Sequence, residues 1–466
     1  MSGELPSIGG SVFRGLIGAA QEDITPPPGI FARCWGAAEH DTAEGVHRPL
    51  MLTCVTLESH AGGPPLVLMS ADLMTWRSRE DEWFIRGAIL EALNLDESRL
   101  MLNLAHTHAA PSTYRAAADR PGGHLIAPYL DDLRHKAVRV ARRAIESRTA
   151  ATLDLRYARC DLATNRDLPD PHNPTRYICG HNPAAAADDT LLVGRVTSDA
   201  GRIIATVVNY ACHPTTLAWQ NRLISPDYVG AMREMVGGHT KAPCLFLQGA
   251  SGELAPAEQY TGDTAVADRH GRRVAYAVLS TLEAMPRPGM MLQFDGVIES
   301  GAPLAIWREK TGHISTDLAA LMTNVEYALK PLPSLDELQA QWRNTTDPVM
   351  KERLWRKVGV RRIVGDGDTT AMPLWAWRIG EAFFIGQCNE AYSPLQTQLR
   401  ARFGGRLIAV MNLVNGTAGY LPPRPLYDRD IYQVWQSPFN SGSLERLLQA
   451  AGQSLEQLSP KTENHT

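Results

Sequence analysis

The chain has 466 residues, 44% of them hydrophobic and 21% charged, with a formal net charge of −4 at pH 7. That length can bury a large core, and so even a charge balance excludes a basic nucleic-acid footprint. No apolar run approaches the roughly 20 residues that span a bilayer, which excludes a membrane-spanning helix.

In chain order, Trp83 to Leu93 reads as an amphipathic helix, and Leu100-Met101-Leu102-Asn103-Leu104-Ala105 as a short buried strand. Pro128 suits the first turn of a helix to Ser147, with Leu130, Leu133, Ala137, Ala141, Ala144 and Ile145 on one stripe. Arg134, Arg139, Arg142 and Arg143 crowd its other side, which reads as a solvated face. Ser198-Asp199-Ala200-Gly201 predicts a hairpin turn into the β-branched run Ile203–Tyr210. Cys244–Leu247 is another strand, followed by a helix from Thr264 to Met285 that Pro286 stops. Ser334-Leu335-Asp336-Glu337 is a capping box that opens a further helix. Ala382–Ile385 and Leu407–Met411 complete the strands.

These elements predict an α/β (α+β) fold, a mixed β-sheet core flanked by helices. No linker, repeat or low-complexity tract cuts the chain, so residues 1–466 read as one domain with a polar, flexible tail at 457–466. The seven cysteines are scattered without C-x-x-C spacing, which suits reduced thiols and neither a disulfide framework nor a thiolate zinc site. Met1 to Pro6 lacks the basic start and apolar core of an export signal, so a cytoplasmic protein is expected.

His106 and His108 close the run Leu100–Ala105. Residues two apart on a strand share a face, so both imidazoles would project together where the strand ends. Imidazole is the commonest metal ligand and the side chain best tuned for proton transfer near neutrality. Alone, the pair reads equally well as two satisfied histidines near a turn. It is not alone, because other strands also deliver candidate ligands just past their ends: His213 after Ile203–Tyr210, Glu253 after Cys244–Leu247, and Glu390 after Ala382–Ile385.

With these residues the chain resembles the catalytic domain of the neutral ceramidases, the neutral/alkaline non-lysosomal zinc amidases. The matching pieces run in order from Gly18-Ala19-Ala20-Gln21-Glu22-Asp23-Ile24-Thr25-Pro26 through Gly45-Val46-His47-Arg48-Pro49 and Ser70-Ala71-Asp72. His106-Thr107-His108-Ala109-Ala110-Pro111, Asn165-Arg166, Asn209 to Thr215, Ser225 to Gly230 and Gln248 to Pro256 follow. Asn389-Glu390 and Ala418-Gly419-Tyr420 complete the set, while residues 286–372 match least and are expected to hold an insertion. The resemblance implies one Zn2+ held by His106, His213, Glu390 and Tyr420, with Tyr427 and Tyr432 supporting the register of Tyr420. Two imidazoles, a carboxylate and a phenolate make a plausible N/O zinc set. The resemblance further casts His108 as a group that bonds the substrate oxygen or moves a proton, Arg166 as the holder of a polar substrate end, and Tyr432 as pocket lining.

One departure matters most. Where the ceramidases carry their serine nucleophile, this chain has Ala255. Either water activated by zinc or Ser251 in the same loop must then attack, and water is preferred, because zinc lowers the pKa of bound water to about 7. Glu253 is a candidate general base or partner to a ligand, with helix capping or a solvated carboxylate as the ordinary alternative. The expected activity is zinc-dependent hydrolysis of an amide bond in a small or N-acylated substrate. The alternatives are a lactone or ester hydrolase on the same site, an amidohydrolase-type barrel, and a zinc-stabilised binding protein. No His-Glu-x-x-His, G-x-S-x-G, Walker or dinucleotide motif is present.

Overall fold

The computed structural model describes residues 7–8, 11–312 and 314–460. Its larger sheet contains β1 (Ser11–Asp23), β2 (Met51–Glu58), β3 (Leu66–Ala71), β4 (Leu100–Leu104), β5 (Thr149–Arg159), β6 (Thr190–Ser198), β7 (Ile203–Tyr210) and β8 (Cys244–Gln248). They lie in the order β8-β7-β6-β5-β1-β2-β3-β4. Neighbours are antiparallel except at the two ends, where β7 pairs parallel with β8 and β3 with β4. The expected turn at Ser198 joins β6 to β7, with Gly201 supplying the positive φ of 77°.

A smaller sheet holds β9 (Leu318–Ala328), β10 (Thr369–Ile379), β11 (Ala382–Gln387) and β12 (Leu407–Met411). It too is antiparallel until its last pair, β11 and β12, which run parallel. The mixed α/β architecture is the one the sequence predicts.

Alternation along the strands sorts the apolar side chains between faces. Val55, Leu57, Leu68, Met101 and Leu245 join Leu374, Trp375, Phe384 and Val410 of the smaller sheet in one core between the sheets. Leu52, Cys54, Val67, Met69, Leu100 and Leu102 point the other way, onto α1 (Arg79–Leu93) and α2 (Ile126–Glu146). Helices α3 (Tyr228–Thr240) and α4 (Thr264–Glu283) cover Val193, Val208 and Phe246.

The stretch 286–372 divides in two. An exposed hairpin, Met290–Glu299 with Pro303–Thr311, stands apart from both sheets. The rest is integral: β9 pairs with β10 along its full length, and α5 (Leu335–Asn344) starts at the expected Ser334–Glu337 capping box. Then comes α6 (Pro348–Val364). Three further helices follow: α7 (Pro394–Arg402), α8 (Tyr432–Gln436) and α9 (Ser443–Leu458). Because α9 runs to Leu458, the polar tail begins later than 457, and 461–466 lie outside the described residues. No helix among the described residues is long and apolar enough to cross a membrane.

The larger sheet curls until its two edge strands meet. Asn103 on β4 accepts from the Gln248 amide at the end of β8 (2.9 Å) and donates to the Asn412 carbonyl past β12 (2.6 Å). Asn415 answers by accepting from Leu102 N at 2.8 Å and donating to Leu100 O at 2.7 Å. Side-chain amides thus satisfy edge groups that no ladder reaches. This closure brings three parallel pairs to one point.

Candidate metal centre

In a parallel pair both strands end on the same side, so the two loops that follow are neighbours. Each parallel pair of this fold supplies two pieces of the site. Past β4 the chain turns through His106, which adopts φ 71° and donates its amide to Leu73 O; from past β3 comes the Met74 carbonyl. Past β7 comes His213, and past β8 the Ser251 carbonyl. Past β11 and β12 come Glu390 and Tyr420, themselves paired in a short parallel ladder.

The two carbonyls set the chemistry of the two imidazoles. His106 Nδ1 lies 2.6 Å from Met74 O, and His213 Nδ1 lies 2.6 Å from Ser251 O. A carbonyl can only accept, so each Nδ1 carries the proton and each Nε2 is left as a bare lone pair. Those two Nε2 atoms stand 3.2 Å apart, and Glu390 Oε2 sits 3.2 Å from one and 3.0 Å from the other. Three acceptors at this separation repel unless a proton or a cation lies among them, and the Arg166 guanidinium, 3.3 Å from His213 Nε2, touches the group from one side only. Burial and the nearby Arg166 charge hold His213 down to about 3, so a proton is poorly retained there. A tetrahedral zinc with ligand distances of ~2.0–2.1 Å has edges of about 3.3 Å, which the observed triangle matches. The donor set fits zinc.

Burial alone would raise the Glu390 carboxyl, but positive charge on the His106 and His213 side, which a proton shared with an imidazole or a bound cation supplies, holds it well below its ordinary range. Tyr420, pushed upward by burial and by Glu390, stacks at 6.4 Å on His213. Arg166 is buried, donates to the Gly252 carbonyl at 2.7 Å, and reaches both Tyr420 Oη and His213 Nε2 at 3.3 Å. It therefore sits against two of the expected ligands and does not face the cleft. His108 does arrive beside its partner, with ring centroids 4.9 Å apart. The ring nitrogens of His106, His108 and His213 lie within 4.8 Å of one another. Its Nδ1 is 3.4 Å from Cys34 Sγ, and its buried Nε2 has no hydrogen-bond partner among the described residues.

One expectation for the loop after β8 needs correction. Glu253 does not face the imidazoles: both its oxygens accept from the Ser393 amide at 3.0 Å, and one also takes the Ser393 hydroxyl. It caps the start of α7, the ordinary alternative, and burial pushes its pKa up to about 8. Ser251 serves through its backbone, because its hydroxyl is held by Gln248 Nε2 at 2.7 Å. Ala255 is fully buried in a short ladder with Ala163–Asn165.

No family model and no curated protein sequence matches the chain. Solved structures do. The crystal structure of neutral ceramidase from Pseudomonas aeruginosa superposes with a TM-score of 0.66 at 16% identity, over 98% of this chain and 76% of that one. A structure described as ceramidase complexed with C2 gives 0.68 at 15% identity, over 97% and 76%. The fold is that of the neutral ceramidases.

On this ceramidase-like frame the site lies at the floor of a cleft of about 180 Å³. His106, His108, Glu390, Tyr420 and Tyr432 line it, and Tyr432 packs edge-on at 5.8 Å to Tyr420. The opposite wall is Trp76, Arg77, Tyr114 and, from α6, Trp355, Arg356 and Val360. Sequence reasoning missed this wall entirely. The loops that carry the candidate ligands follow short apolar strands and can be found by that signal, whereas α6 carries no motif.

Proposed function

We propose that this chain is a zinc-dependent hydrolase that cleaves an amide bond, with the ion held by His106, His213, Glu390 and Tyr420. One observation carries the reading: two imidazole nitrogens, bared by hydrogen bonds on their far sides, meet a carboxylate oxygen at zinc-like spacing beneath an open cleft. A sealed structural site would lack that opening. The ceramidase-like fold supports the amide as the bond attacked. A zinc ion there would polarise the carbonyl and lower the pKa of a bound water to about 7.

The residues of the chain supply the rest. Water adds to the carbonyl carbon, the C–N bond breaks, and the nitrogen must leave with a proton. His108 is the group placed to take the water's proton and return it to nitrogen: burial and its two imidazole neighbours keep it neutral, and its Nε2 is uncommitted. Arg166 positions His213 and Tyr420, and Tyr432 shapes the wall. The seven cysteines are all free thiols, which supports a reducing compartment such as the cytoplasm.

The test is metal analysis of the purified protein, followed by a hydrolysis screen over N-acyl amines, amides, esters and lactones with and without chelator. Near-stoichiometric zinc and chelator-sensitive amide cleavage are expected. A protein free of transition metal, or turnover indifferent to chelation, refutes the reading. Preference for lactones over amides would move the activity to the ester class on the same residues.

A further inference from the structure

The cleft wall opposite the metal ligands is unusually rich in unsatisfied donors. The Arg77 guanidinium lies over the Trp355 ring at 5.0 Å and has no hydrogen bond or ion pair among the described residues. Behind the wall Arg120 approaches the same ring at 5.6 Å and the exposed Arg362 bonds the Tyr114 hydroxyl; neither lines the cleft, and neither has a carboxylate partner among the described residues. Arg356 gives one donor to the Cys34 carbonyl at 2.7 Å and another to Glu352 at 3.1 Å. Glu352 is thus the carboxylate set against this group of guanidiniums, and Arg356 already holds it. Trp76, 1% exposed, lines the cleft with an indole N–H that has no acceptor. Two guanidiniums, Arg77 and Arg356, and the orphan Trp76 N–H leave the cleft wall with more donors than acceptors.

A planar oxyanion supplies what is missing. Guanidinium recognises carboxylate through paired N–H donors in a fork, and stacking on Trp355 holds Arg77 in one plane for that contact. We propose that the substrate is an acyl compound carrying a carboxylate, such as an N-acyl amino acid, whose carboxylate is bound by Arg77 with Arg356 beside it while its amide lies over His106 and His213. This deepens the metal-hydrolase reading and rests on it only for the fate of the amide. The recognition itself requires no turnover. It also separates this cleft from one built for an uncharged lipid amide, for which bare guanidiniums would be a desolvation cost.

The experiment is therefore equilibrium binding. Isothermal titration of the purified protein compares hexanoylglycine with its uncharged twin hexanoylglycinamide, for the native chain, Arg77→Gln and Arg77→Lys. The native chain is expected to bind the acid at least about tenfold more tightly, a preference that shrinks as salt rises. Arg77→Gln should abolish the preference, and Arg77→Lys, which keeps the charge without the fork, should restore part of it. Equal binding of the twins, no binding of either at millimolar concentration, or a preference that survives Arg77→Gln overturns the proposal. Should Arg77→Gln fail to fold, the native comparison and Arg77→Lys still decide. Selective binding with hydrolysis of neither compound would retain the anion pocket and discard the N-acyl amino acid as substrate, while bound metal and chelator-sensitive turnover still decide the hydrolase reading.

Discussion

His106 takes a left-handed backbone conformation that residues other than glycine adopt at a cost of about 1–3 kcal/mol. The strain aims its ring at His213, and the Met74 carbonyl fixes which nitrogen is bare. His106→Ala and His213→Ala should therefore each lose bound metal and activity together, read by metal analysis beside the amide assay. Ser251→Ala keeps the carbonyl that orients His213 and should retain metal and most of the turnover; inactivation with zinc still bound would restore Ser251 as nucleophile. His108→Ala should keep its metal but slow turnover by about 10²–10³. Loss of zinc from that variant would instead make His108 a ligand.

Glu253 gives a pH test. Its pKa is raised from an ordinary 4.5 to about 8 by burial, so folding favours the protonated form. That contribution is fully present below pH 4.5 and is lost as pH rises through about 8. Glu253→Gln, which cannot ionise, should gain melting temperature relative to the native chain on going from pH 5 to pH 9. A constant difference would show that Glu253 is ionised throughout.

At the scale of elements, the site depends on parallel pairs held at fixed separation. Asp72 follows β3, and Arg233 on α3 grips both of its carboxylate oxygens at 2.5 Å with both partners buried. This pair ties the helix behind β7 and β8 to the loop that carries Met74. Arg233→Leu would leave a buried, unpaired carboxylate and should cost about 3–5 kcal/mol in chemical denaturation. Adding Asp72→Asn should recover part of that loss. Much of this level was legible in the chain: the runs ending at Tyr210 and Met411 are strands with those same ends, because short apolar segments bounded by turn formers have few other uses. The Glu253 role was not legible, since a carboxylate one turn from the site and one that caps a helix have the same sequence. Nor was the α6 wall, because Trp355 and Arg356 gain meaning only from what faces them across the cleft.

Across the whole molecule, the curl that makes the edges of the large sheet meet was invisible in the sequence, because it rests on single asparagines. Asn103, Asn412 and Asn415 close contacts between chain segments some three hundred residues apart, and no local pattern announces such a pairing. A metal ion at the proposed site would act on the same seam. His106 and His213 come from opposite ends of the large sheet and Glu390 from the small one, so a bound ion joins three ends whose bare acceptors otherwise repel. Its removal should therefore loosen the seam before the cores, which are apolar and continuous without it. Free zinc at a thousandfold excess over its dissociation constant adds about 4 kcal/mol to stability. Chelation should lower the melting temperature accordingly, and hydrogen exchange should speed up first in the loops at Met74, His106, Ser251 and Glu390 while β1 and β5 stay protected. Exchange that rises evenly across both sheets, or does not change on chelation, would mean that the seam holds without an ion and that the acceptor triangle has another resolution.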